Sequence, residues 1–372
     1  MALNSLKYFI FWEKKNLSFL FFQNQSQITD KPITQQSYFR DNSFDILKGI
    51  AIILMILGHC NVGPLKAFIF SFHMPLFFFI AGYFLKTRSL RDEICLSTKR
   101  LIVPYIFSAF CVIAIIAIQD ILENGWTDFF YTKQKLMAFL LGFKGGFYPN
   151  WLNGSIRTFW FILALFWARC IVIFFINKIK STKILYIITF SLSLLGAYSG
   201  EYFFIPYCIP LGLSTVGFVY TGHLIQKFRL LESSNMKKIF PLLFIIWINS
   251  WMHEGIDIAC FWYPSGYILG LLGALGAFFT LYMFVQNFYN SQSFFWRSIH
   301  FWGRYSLIIY CIHAIDENTL DWEFIASRLH ISFDFFNLFQ ISTRIAITFI
   351  FTLIILKIKP LRKGIFHISP EL

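Results

Sequence analysis

Three histidines and a few cations stand inside stretches that are otherwise apolar. Lys48 and His59 lie eleven residues apart in FDILKGIAIILMILGHCNV. At 100° per residue, that spacing returns to within about 20° of one helix face while rising roughly 16 Å. Asp45 falls within about 40° of His59 on the same wheel, so the three polar groups share a stripe. Such groups are costly in hydrocarbon and make sense on a face that lines a polar cavity. His73 follows in FSFHMPLFFF, across a short turn, and His313 lies in GRYSLIIYCIHAI. Ser306, Tyr310 and Glu317 share the face of His313 by helical spacing. A neutral imidazole can take a proton from a hydroxyl and return it to a leaving group near neutral pH. General base catalysis therefore fits the histidines better than zinc, because no HExxH or paired-carboxylate spacing accompanies them; no metal is expected.

A second constellation is basic. Lys48, Lys99, Arg100 and Arg304 fall at the other ends of their helices. Many such residues only snorkel to an interface. Lys48 and Arg304, however, are each followed by apolar residues, and a phosphate-bearing ligand would suit them. His223 reads as an interfacial residue. Asp45 is expected to pair with Lys48 at i, i+3 and lower the cost of that charge.

The elements that must position these groups are membrane helices. The chain has 372 residues, 57% of them hydrophobic and 14% charged, against about 25% charged in soluble proteins. The expected fold is all-α and polytopic, with about ten spans of roughly 20 residues. They fall near 44–62, 66–85, 101–121, 158–177, 184–199, 203–226, 238–252, 266–287, 299–318 and 340–358. Lys and Arg cluster in alternate loops, at 86–100, 178–183 and 227–238 and in the tail. The intervening loops at 199–202, 253–265 and 319–339 carry mostly acids. Positive loops face the cytoplasm, which puts both termini there. Residues 1–43 read as a cytoplasmic or interfacial segment rather than a cleaved signal, 44–358 as the membrane domain and 359–372 as a cytoplasmic tail. The long segment 122–157 either covers the mouth of a cavity or simply connects. The net charge of +13 follows this loop pattern, and nucleic acid is not an expected partner. The seven scattered cysteines read as small apolar helix residues. Gly270, Gly273 and Gly276 in GLLGALG read as a helix-packing face.

The stretches DILKGIAIILMILGHC and FSFHMPLFFFIAGYFL together resemble the bacterial membrane-bound acyltransferase type 3 family. The likeness continues through KRLIVPY, TFWFILALFW and GRYSLIIYCIHAI. The resemblance implies ten membrane helices in the bacterial inner membrane. It also implies transfer of an acyl group, usually acetyl, from cytoplasmic acyl-CoA to a hydroxyl of a cell-envelope carbohydrate. The family sets a basic residue, often Arg, ahead of an essential histidine; here the pair is Lys48 and His59. Lys keeps the charge but lacks the planar fork that grips a phosphate at two points. The family's arginines after the second span correspond to Arg100, with Lys99 beside it, and a second Arg in RxxR spacing is absent. The resemblance implies a stand-alone form without a hydrolase-like extension. On this reading Lys48, Lys99, Arg100 and Arg304 hold the CoA phosphates. His59 is the base or a transient acyl carrier, and His73 and His313 orient it or help bind the acceptor. Asp45, Trp160 and Glu317 are the remaining substrate-site candidates. A flippase for an envelope precursor is the main rival, and a pH-responsive membrane sensor the third reading.

Overall fold

The computed structural model describes residues 42–126, 128–145 and 151–368. All but the last two residues of the expected segment 1–43 lie outside the described residues, as do positions 369–372 of the tail. Among the described residues the protein is helical without strands; Asp257 and Trp262 form one isolated antiparallel bridge.

Helix α1 (Asn42–Gly58) runs through the middle of the bundle. It stops at Gly58 rather than at residue 62, because Asn61, Gly63 and Pro64 follow and favour a turn. The second expected span is two helices, α2 (Leu65–Phe70) and α3 (His73–Tyr83). The break at Ser71–Phe72 leaves Pro75 in the first turn of α3, where a missing N–H costs nothing. Next come α4 (Leu90–Ser97), a π turn (Thr98–Ile102) and α5 (Val103–Asn124). Helix α6 (Phe130–Leu141) lies between expected spans. Then follow α7 (Trp160–Lys178), α8 (Thr182–Ser199), α9 (Ile209–Lys227), α10 (Ser234–Met252) and α11 (Tyr267–Phe288). The ninth expected span, 299–318, is broken at Tyr305 into α12 (Phe294–Arg304) and α13 (Ser306–Thr319). A short α14 (Trp322–Arg328) precedes α15 (Phe333–Lys357).

Among the described residues, six helical stretches are long and apolar enough to cross a membrane: Leu65–Tyr83, Leu90–Asn124, Arg157–Lys178, Thr182–Ser199, Tyr267–Phe288 and Asp334–Lys357. Lys238–Met252 is a shorter apolar helix. The other expected spans differ for visible reasons. Helix α1 has 17 residues, α9 carries Ser, Thr, His and Gln, and the ninth is split.

Helix α1 packs against α3, α11, α12, α13 and α15. The α1–α12 seam is close because it is built on glycine. A Cβ on Gly49 would lie 2.1 Å from the Ile299 carbonyl oxygen, and one on Gly303 would lie 1.6 Å from that of Asp45. The glycines of GLLGALG pack on α10 in the same way, Gly276 against Leu243 and Gly273 against Ser250. All seven cysteines are free.

Candidate active site

His59 stands one residue beyond the end of α1. Its Nδ1–H donates to the Met55 carbonyl oxygen at 2.8 Å. Because a carbonyl can only accept, this bond fixes the tautomer and leaves Nε2 as an acceptor. His73, the first residue of α3, uses the same device, its Nδ1 bonding the Ile69 oxygen at 2.8 Å. Both rings line one small cavity of about 40 Å³, with Met55, Phe70, Thr158, Trp160 and Tyr310 among its walls. Residues 256–259, in the loop before α11, close another side. A space of this size holds about one or two waters.

His313 is fully buried, and its ring lies edge-on to His59 with centroids 5.1 Å apart. Neither of its ring nitrogens has a hydrogen-bond partner among the described residues. Asp316 Oδ2, its nearest acid, is 3.8 Å away. The ring is wholly enclosed and does not itself line the cavity; it stands behind His59. Tyr310 donates to the Thr158 carbonyl and ties α13 to the start of α7. Trp160 is buried beside the cavity, with its ring against Phe78 and Phe161. It is therefore an interior wall and not an interfacial anchor.

Behind His59 lies a charged network centred on Arg344 of α15, whose side chain is only 4% exposed. Its Nη1 donates to the His59 carbonyl oxygen at 3.0 Å. Nε is 3.2 Å from Asp316 and Nη2 2.5 Å from Glu317. The guanidinium also sits over the Trp322 ring, whose Nε1 donates to Asp316 Oδ1 at 2.8 Å. Glu317, expected at the substrate, is thus engaged by Arg344. Arg344 carries a sequence signal of its own: a lone cation inside an apolar helix requires a buried partner.

At the opposite end of α1, Lys48 pairs with Asp45 at 2.6 Å, and His300 of α12 stands 3.7 Å from the same carboxylate. The Gly303 contact brings the end of α12, and Arg304 with it, to this level. Lys99 and Arg100 lie elsewhere, exposed on the π turn, which packs against α4, α5 and α7. That turn is braced by Glu93, a fully buried carboxylate. Glu93 takes Arg169 Nε at 2.8 Å, Ser97 Oγ at 2.7 Å and Arg88 Nε at 3.2 Å. Among the described residues no three His, Cys, Asp or Glu side chains gather as a metal site.

The arrangement can polarise a hydroxyl at one end of α1 and hold negative charge at the other. The nodulation protein NolL of Sinorhizobium fredii (strain NBRC 101917 / NGR234) is 29% identical over 142 residues, 34% of this chain and 34% of that protein. The alignment therefore spans about a third of that relative's length. No solved structure matches the chain. A family model described as an acyltransferase domain matches residues 41–357, all of the helices from α1 to α15, and the chain belongs to the acyltransferase type 3 family.

Proposed function

We propose that the protein is a multi-pass acyltransferase of the bacterial inner membrane that moves an acyl group, acetyl in the simplest case, from acyl-CoA to a hydroxyl of a cell-envelope carbohydrate. In this reading the chain crosses the bilayer ten times with both termini in the cytoplasm. The interrupted stretches 65–83 and 294–319 then each count as one crossing. Their irregular backbone is tolerated because it is buried in protein or faces a cavity.

Acyl-CoA enters at the Lys48 end. Lys48 and Arg304 meet its phosphates first, with Lys99 and Arg100 on the exposed turn available to the nucleotide end. The thin pantetheine arm brings the thioester toward His59. There Nε2 takes the proton of the sugar hydroxyl as its oxygen attacks the thioester carbon. The C–S bond breaks, an oxygen ester forms, and the same proton passes to the departing sulfur, giving CoA thiol. His73 positions the hydroxyl, His313 orients His59 from behind, and Trp160 walls the sugar side. Family membership supports this reading, and one local observation carries it: Nδ1 of His59 is occupied by Met55, which turns a bare Nε2 toward the cavity.

The test is release of CoA from acetyl-CoA by purified protein in lipid nanodiscs, read with a thiol dye. His59→Ala should lower the rate by about 100-fold or more, the range of a lost general base. Retention of the rate in that variant would remove His59 as the base.

A further inference from the structure

A second and larger cavity lies at the His59 end of the bundle. It encloses about 350 Å³ between the last turns of α5, helix α6 and residues 153–157. Asp120, Glu123, Gln134, Lys135, Asn153 and Arg157 supply its polar wall. Tyr131 adds an aromatic face.

These walls are set in place by the protein itself. Asp120 is buried, and its Oδ2 accepts both the Thr132 amide at 2.8 Å and the Thr132 hydroxyl at 2.6 Å. Lys135 Nζ donates to the Ser155 carbonyl and to Asn318 Oδ1, each at 2.8 Å. The Asn153 amide donates to Gln134 Oε1 at 2.9 Å. Residues 153–157 lie flat on α6 because position 154 is glycine; a Cβ there would come within 2.3 Å of the Gln134 carbonyl oxygen. The cavity is also wired to the catalytic corner. Arg157 Nη1 donates to the Glu317 carbonyl at 2.8 Å, and Glu317 is held by Arg344, which holds His59. Arg157 lines this cavity while the next residue, Thr158, lines the histidine cavity.

The lining selects a ligand class. Two carboxylates, two cations and three primary amides, Gln119 among them, balance in charge and interleave acceptors with donors. A fatty acyl chain would cover the Glu123 carboxylate and the Asn153 side-chain amide, which make no bond among the described residues. An acidic ligand would meet Glu123 uncompensated, while Lys135 and Arg157 are already engaged by Ser155, Asn318 and Glu317. A neutral polyol satisfies both kinds of group, and its C–H face suits the Tyr131 ring. The volume lies within the range of about 300–1,000 Å³ typical of small-ligand sites. We propose that this cavity is a subsite for a neutral sugar ring that flanks the ring being acylated. The assignment rests on the acyltransferase reading given above.

The test uses the full chain in nanodiscs, with the exposed Cys95 and Cys260 replaced by serine and a reporter thiol introduced by Phe130→Cys. Phe130 is exposed at the cavity rim. The probes are oligosaccharides released by mild acid from the envelope of the producing cells, separated into neutral and acidic fractions. The neutral fraction should slow maleimide labelling at position 130 by about fivefold or more. Adding Glu123→Gln or Asn153→Ala should raise the concentration of that fraction needed for half-maximal protection by about tenfold, the worth of one hydrogen bond to a charged or well-placed group. Labelling that is unchanged by the neutral fraction, or slowed only by the acidic one, would overturn the assignment. CoA release by the unsubstituted protein separates the two readings. Release without protection removes the subsite alone, and protection without release removes acyl transfer but leaves a neutral-sugar site.

Discussion

Replacing Arg344 by methionine should be among the most damaging single changes in the chain, and the damage should be recoverable. The guanidinium is buried, touches two carboxylates and holds the His59 carbonyl. Methionine keeps the volume but leaves Asp316 and Glu317 facing one another with their shared cation gone. Breaking a buried pair in this way costs about 3–5 kcal/mol, mostly as uncompensated charge. In a large domain this is a fall of at least about 5 °C in the unfolding midpoint. The assay is thermal unfolding in nanodiscs by tryptophan fluorescence, followed by CoA release below the transition. Activity should fall even where the protein is folded, because the turn bearing His59 loses its tether. The decisive comparison is the triple variant Arg344→Met, Asp316→Asn, Glu317→Gln. Removing all three charges should restore most of the stability but not the activity, since no group then holds the His59 carbonyl. A single variant as stable as the parent would refute the account. So would a triple variant worse than the single one, which would mean that the charges were never the cost.

Two further outcomes follow from packing and charge. Gly303→Ala would force a Cβ to within 1.6 Å of the Asp45 carbonyl. It should therefore push α12 off α1, cost about 1–3 kcal/mol by overpacking, and raise the KM for acetyl-CoA; an unchanged unfolding midpoint would contradict that seam. Lys135 lies outside the membrane-spanning stretches, and burial, then the neighbouring Arg157, lowers its pKa to about 8. The folded state thus sheds this proton at lower pH than the unfolded chain, so stability should rise as pH climbs from about 8 toward the ordinary lysine value. Lys135→Met should flatten that slope, as read from unfolding midpoints across the pH range.

The parts of the site that share a helix were legible in the sequence, and the parts that depend on tertiary packing were not. Asp45, Lys48 and the level of His59 followed from helical spacing, and the short turn to His73 brought both rings to one cavity. The exact end of α1 did not follow, because apolar composition continues to Val62 while backbone termination is set by Asn61, Gly63 and Pro64. The break in the second span falls at Ser71–Phe72, where the helix can restart with Pro75 in its first turn, and hydropathy does not mark it. The break at Tyr305 falls where Gly303, Arg304 and Ser306 interrupt the apolar run, a signal too short to separate a broken span from a continuous one. Arg344 stands in an expected span, but its partners lie on another helix, and hydropathy alone does not pair them. Lys99 and Arg100 stand exposed on a turn that packs against α4, α5 and α7, beside the buried Glu93 network, a placement that hydropathy does not give.

The bond from Arg344 to the His59 carbonyl joins residues 285 positions apart. During synthesis the first helix and its histidine leave the ribosome long before the arginine that secures them exists. The corner around His59 is therefore completed last, by a helix docking from the far end of the chain. A nascent chain lacking that helix would already hold both cavity-lining histidines and their local bonds to Met55 and Ile69, but the turn that carries His59 would lack its distant tether until the whole bundle has assembled.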